Sequence, residues 1–150
     1  MLKKMSIALL LLLVGLSTAA SAEQAAFSFY GLRFGMSRAE AGKVVSLMAE
    51  DVVRNPGHGM SSLTLFFDRN ELLMEIRAGY PKPDEPMQAE GLRRALNQKL
   101  LHPVRTTYPD LEASIDEYGN RAGLTVMIRD KGLREENIQF FQNQFLSKME

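Results

Sequence analysis

The spacing of apolar residues switches from a helical to a strand period twice along this chain, and that repeated switch limits its possible architectures more than any single motif. Ala41, Val44, Val45 and Met48 stand at the i, i+3, i+4, i+7 spacing of a helix laid on a core. Asn55-Pro56-Gly57 interrupts the pattern, because proline stops a helix and glycine supplies the positive φ of a turn. The period then falls to two. Leu63, Leu65 and Phe67 alternate with Ser62, Thr64 and Phe66, and beyond Asp68-Arg69-Asn70 the residues Leu72, Met74 and Ile76 alternate with Leu73, Glu75 and Arg77. Two such runs around a short loop predict a β-hairpin.

The same order recurs. Pro81 and Pro83 close the first unit, and Asp84-Glu85-Pro86 places acid and proline where a helix prefers to start. Leu92, Ala95, Leu96 and Leu100 form its stripe, extended backwards by Ala89, and Gly91 weakens it by about 1 kcal/mol relative to alanine. His102-Pro103 and Tyr108-Pro109 then read as a non-helical link. Leu111, Ala113 and Ile115 alternate with Glu112, Ser114 and Asp116; after Gly119-Asn120, a favoured hairpin turn, so do Ala122, Leu124, Val126 and Ile128 with Gly123, Thr125, Met127 and Arg129. A last segment, 133–148, carries Ile138, Phe141 and Phe145 at helical spacing, with Phe140 and Leu146 widening that face.

Ahead of the first unit, Phe27, Phe29 and Gly31 alternate with Ser28 and Tyr30, which suits a strand leading to Leu32 and Phe34. Gly35-Met36 turns the chain, and Ser37-Arg38-Ala39-Glu40 has the form of a capping box, so a helix is expected to start there. The expected fold is α+β: an antiparallel sheet of four to five strands with helices packed on one face, built from two successive α-β-β units and a C-terminal helix.

Residues 1–22 read as a cleavable signal peptide, and 23–150 as a single domain. Lys3 and Lys4 precede an apolar run from Ile7 to Val14, and Ala20-Ser21-Ala22 is a small-residue cleavage site. The run is too short for a membrane span of roughly 20 apolar residues. The expected product is therefore a periplasmic or secreted protein, of Gram-negative type, with no transmembrane span after cleavage. The chain has no cysteine, which excludes a disulfide framework, a thiolate metal site and a lipid-bearing cysteine. It carries 18 basic and 18 acidic residues, and losing Lys3 and Lys4 leaves a slight acidic excess. That balance provides no electrostatic drive toward nucleic acid or an anionic membrane.

Chemistry-bearing residues are sparse. His58 and His102 are the only histidines, and neither belongs to a spaced ligand set. His58 with Met60, in Gly57-His58-Gly59-Met60, offers the nitrogen and sulfur ligands of a copper-handling site. The methionines Met48, Met74 and Met127 fit packing positions. No nucleophile elbow, Walker loop or dinucleotide fingerprint occurs, so no catalytic residue and no cofactor are assigned. Glu112, Asp116 and Glu117 are carboxylates that could pair for acid–base work, but Glu112 and Asp116 share the polar face of a strand and read as solvated. Phe140 beside Phe141 stands apart: one helix cannot bury both rings equally against a flat neighbour, so the pair is the candidate partner-binding surface.

The string Leu32-Arg33-Phe34-Gly35-Met36-Ser37-Arg38-Ala39-Glu40, followed by an amphipathic helix and a hairpin reading Leu65-Phe66-Phe67-Asp68 into Leu72, resembles the helix start of SmpA/OmlA-like (BamE-like) periplasmic domains. The resemblance covers the first half of the expected mature chain. It implies a small envelope domain that binds partner proteins and anionic lipid in support of outer-membrane β-barrel assembly. This chain differs from that pattern in lacking the lipidated cysteine and in adding a second helix-hairpin unit. Taken together, these features point to a non-enzymatic periplasmic binding or adaptor protein whose partner is an envelope protein. Copper handling through His58 and Met60, and a small hydrolase whose polar groups converge only in three dimensions, are the alternatives.

Overall fold

The computed structural model describes residues 26–81, 83–117 and 123–149; the expected leader and the Gly119-Asn120 turn lie outside them. Four strands form one antiparallel sheet: β1 (Ser62–Phe67), β2 (Leu73–Pro81), β3 (Leu111–Glu117) and β4 (Gly123–Asp130), in the order β1-β2-β4-β3. The helices are α1 (Arg38–Val44), α2 (Pro86–Leu96), α3 (His102–Thr107) and α4 (Lys131–Ser147). The α+β class holds, with four strands. The two hairpins meet along their second strands, with Ile76 opposite Ile128 and Ala78 opposite Val126. Among the described residues no helix is long and apolar enough to cross a membrane.

Alternation sets the core. Leu63, Leu65, Ile76, Ala78, Ala113, Val126 and Ile128 share one sheet face and pack with Leu32, Ala41, Leu101 and Val104. Each fully buried leucine or isoleucine contributes about 1.5–3 kcal/mol. The first hairpin departs from simple alternation. Phe66 pairs with Glu75 but Phe67 pairs with Leu73, so Met74 is bulged out and the phase shifts by one residue. Leu73, not Leu72 or Met74, is therefore the residue fully buried at that end.

Three other expectations change. The stretch from Phe27 is not a strand: Phe29 and Leu32 exchange backbone hydrogen bonds of 2.9 and 3.0 Å around Tyr30 (φ 50°) and Gly31 (φ 88°). Two successive positive φ values make a tight reversal of the I′ kind. The capping box forms as expected, with Ser37 Oγ accepting from the Glu40 amide and Glu40 Oε2 accepting from the Ser37 amide. The helix it starts is short, however. It ends at Val44, and Val45 is extended, so Val44 and Met48 are exposed and only Ala41 of the expected stripe is buried. Residues 46–54 fold back instead, with Met48 N–H donating to Val52 C=O and Arg54 N–H to Ser46 C=O. Stiff β-branched side chains at Val45, Val52 and Val53 favour that extended path.

The link at His102-Pro103 is helical. A π turn over Asn97–Leu101 joins α2 to α3, and Pro103 lies in the first turn of α3. Proline lacks an N–H and its ring crowds the carbonyl four residues back; a widened turn just before it accommodates both. Both sheet edges are covered in part. Val53 N–H donates to Leu63 C=O beside β1, and the Arg105 guanidinium donates to Ala113 C=O on β3, at 2.8 and 2.6 Å. Such caps occupy edge groups that otherwise pair with foreign strands.

Candidate functional site

Helix α4 is pinned at its root. Asp130 Oδ1 accepts from the Leu133 amide at 3.0 Å, the Lys131 amide donates to Asp110 C=O, and Lys131 Nζ donates to Pro109 C=O. Half-way along, the β1–β2 turn grips it. The Arg69 amide donates to Asn137 Oδ1 at 3.1 Å, Arg69 Nη1 donates to Glu136 C=O at 3.2 Å, and the guanidinium lies 4.3 Å from the Phe140 ring centroid. The turn is itself fixed, since Asp68 Oδ1 accepts from the amides of Asn70 and Leu72.

Beyond that grip, residues 141–149 are all exposed, and α4 has no buried residue. Exposure climbs from 39% at Phe140 and 52% at Phe141 to 66% at Phe145, 60% at Leu146 and 70% at Met149. The two candidate rings are thus separated by role. Phe140 lies under Arg69 and touches Phe141 edge-on, with centroids 5.4 Å apart, while Phe141 opens the free stretch. The sequence reading missed Phe145, Leu146 and Met149 as the most exposed part of this surface. The available signal was the absence of any charged side chain from residues 137–147.

His58 and Met60 do line one cleft, of about 240 Å³, together with Tyr30, Val44 and Arg54. Their side chains differ in access. The His58 ring is stacked on Tyr30, centroids 3.7 Å apart at 13°, whereas Met60 is buried. Among the described residues no group of three or more His, Asp or Glu side chains is placed to hold a metal ion. Tyr80, buried in the core, has its phenol pushed up from the ordinary value by burial and by the nearby Tyr30 hydroxyl.

The remaining polar residues are engaged or scattered. His102 is exposed and lines an open depression with Asn97, Gln98 and Arg105. Glu112 pairs with Arg129 at 3.2 Å; the side chains of Asp116 and Glu117 lie outside the described set. Among the described residues Glu75 is the one buried charged residue, held between Arg77 at 2.8 Å and Arg129 at 3.6 Å. A wider cleft of about 400 Å³ is lined by Phe27, Phe34, Tyr108, Arg33 and Asp110, with Phe27 stacked on Phe34 at 5.7 Å. Family models, curated proteins and solved structures all return no match to this chain.

Proposed function

We propose that this chain is a non-enzymatic binding protein of the bacterial cell envelope, exported to the periplasm, that docks another envelope protein through the outer face of α4. The observation that carries the reading is the set of exposed apolar side chains Phe141, Phe145, Leu146 and Met149 at the end of a helix anchored at its root and gripped at Arg69. A helix with no buried residue is not held for the sake of the core, and an apolar patch of several hundred Å² on a small domain ordinarily marks a contact surface. The leader-like residues 1–22 and the near-balanced charge fit a protein partner in an exported setting.

The test is site-specific photocrosslinking in living cells, with the probe at Phe141 and, as control, at Arg94 on α2. Adducts concentrated at position 141, in protein recovered from the periplasm with residues 1–22 removed, are the expected result. Equal labelling at both positions, or a cytoplasmic protein retaining its leader, overturns the reading.

A further inference from the structure

The free half of α4 has a composition that narrows what covers it. At 3.6 residues per turn, Ile138, Phe141, Phe145 and Leu146 fall in one broad sector, with Met149 in the turn just past the helix end, while Phe140 points toward Arg69 on another side. Along 138–147 the sector is bordered by amides, Gln139 and Asn143 on one flank and Gln144 on the other, with Gln142 within it; past the helix end Lys148 follows on the Gln144 flank. Gln139 Nε2 already donates to Asn143 Oδ1 at 3.1 Å.

Area is the first argument. Taking roughly 200 Å² for a large side chain, the fractions exposed at Phe141, Phe145, Leu146 and Met149 come to about 500 Å². A standard interface buries about 800 Å² per partner, of which about 65% is apolar between identical subunits, hence about 500 Å². Charge is the second. An interface related by a twofold axis sets each patch against itself, so a rim charged with a single sign meets its own sign. The amides bordering this stripe both donate and accept, so they can pair with their own kind. An interfacial membrane helix, by contrast, lines its polar face with lysine and arginine, which residues 137–147 lack.

We infer that the outer stripe of α4 is covered by the same stripe of a second copy of this chain, the two helices pairing antiparallel about a twofold axis near Gln142. This rests on the reading of α4 as a protein-docking surface and names its occupant. Each body grips the first half of its own helix, so the antiparallel arrangement places the two bodies at opposite ends of the pair.

The experiment uses protein expressed from its full sequence, with mass measured by sedimentation across about 1–100 μM, the range of ordinary reversible dimers. A mass of two copies is expected, weakened at least about tenfold by Phe145→Glu, because each copy then buries an unpaired carboxylate in an apolar seam. Since Phe145 is exposed, the variant keeps its fold, which circular dichroism checks. The chain has no cysteine, so Gln142→Cys under mild oxidation gives a disulfide-linked pair, whereas Gln98→Cys on the π turn does not. Monomer throughout, with crosslinks from position 141 only to a different protein, overturns the second copy and leaves the docking surface standing. Monomer with binding to vesicles of phosphatidylethanolamine and phosphatidylglycerol assigns the stripe to lipid and overturns both. Monomer with neither overturns both as well.

Discussion

The guanidinium of Arg69 sits 4.3 Å from the ring centroid of Phe140, joining the tip of the first hairpin to the middle of the last helix. With the Asn137 and Glu136 hydrogen bonds, it makes residue 69 the boundary between the attached and the free part of α4. Arg69→Ala removes the cation–π contact and the Glu136 bond while keeping the backbone amide. A loss of about 1–2 kcal/mol is expected, concentrated in α4. Hydrogen exchange is the measurement: protection falls across 134–147 and is unchanged in β2 and β4. Loss of protection throughout the sheet would show that Arg69 holds more than the helix.

How much of this arrangement was legible follows from how local each interaction is. The Ser37–Glu40 box and both hairpins could be read because their partners lie within a few residues or follow a two-residue period. The phase of β2 could not, because one bulged residue, Met74, exchanges the two faces without altering the alternation in sequence. Nor could the helical path through Pro103, which depends on a π turn with no residue signature of its own. The spacing of Ile138, Phe141 and Phe145 identified a helix face correctly, but spacing is silent on whether anything covers it. That depends on Arg69, nearly seventy residues away in the chain.

Glu75 presents a different case, a carboxylate buried at a central strand with Arg77 and Arg129 on either side. Arg129 Nε is itself buried and makes no hydrogen bond, so it depends on the surrounding negative charge. Glu75→Ala leaves that cation without its inner partner. The expected loss is about 3 kcal/mol in urea unfolding, at the low end for broken buried pairs because Arg77 can turn to water and Arg129 keeps Glu112 at 3.2 Å. Glu75→Leu combined with Arg129→Met should recover most of it, since apolar groups of similar size remove both charges together. A double variant no more stable than Glu75→Ala would mean that the ion pairs to Glu75 themselves, and not the half-paired charge left on Arg129, account for the loss.

Two glycines should respond to alanine in opposite directions. Gly31 has φ 88°, and an added Cβ would lie 2.9 Å from Val44 Cγ1. Gly31→Ala therefore strains both the Tyr30–Gly31 reversal and its packing on α1, at a cost of about 1–2 kcal/mol. Gly42 lies inside α1 with no atom within 4 Å of an added Cβ, so Gly42→Ala gains about 0.5–1 kcal/mol of helix propensity. Thermal unfolding midpoints, lower for the first and higher for the second, test both.

Alkaline pH should weaken the fold through Tyr80. Burial, and secondarily the Tyr30 hydroxyl, raise its phenol above the ordinary value of 10.0 in the folded chain. The folded state therefore holds this proton to higher pH than the unfolded state does, and the sign follows from proton linkage. The contribution is fully present below the ordinary tyrosine value and is lost as pH rises through the raised one. Unfolding free energy should accordingly be insensitive to this group at neutral pH and decline above about pH 10. Tyr80→Phe removes the titrating group while keeping the ring, so its stability profile should be flatter over the same range. Ultraviolet titration of the folded protein should show one phenol ionising later than the rest, absent from Tyr80→Phe. If the alkaline decline is unchanged in that variant, burial of Tyr80 is not its cause.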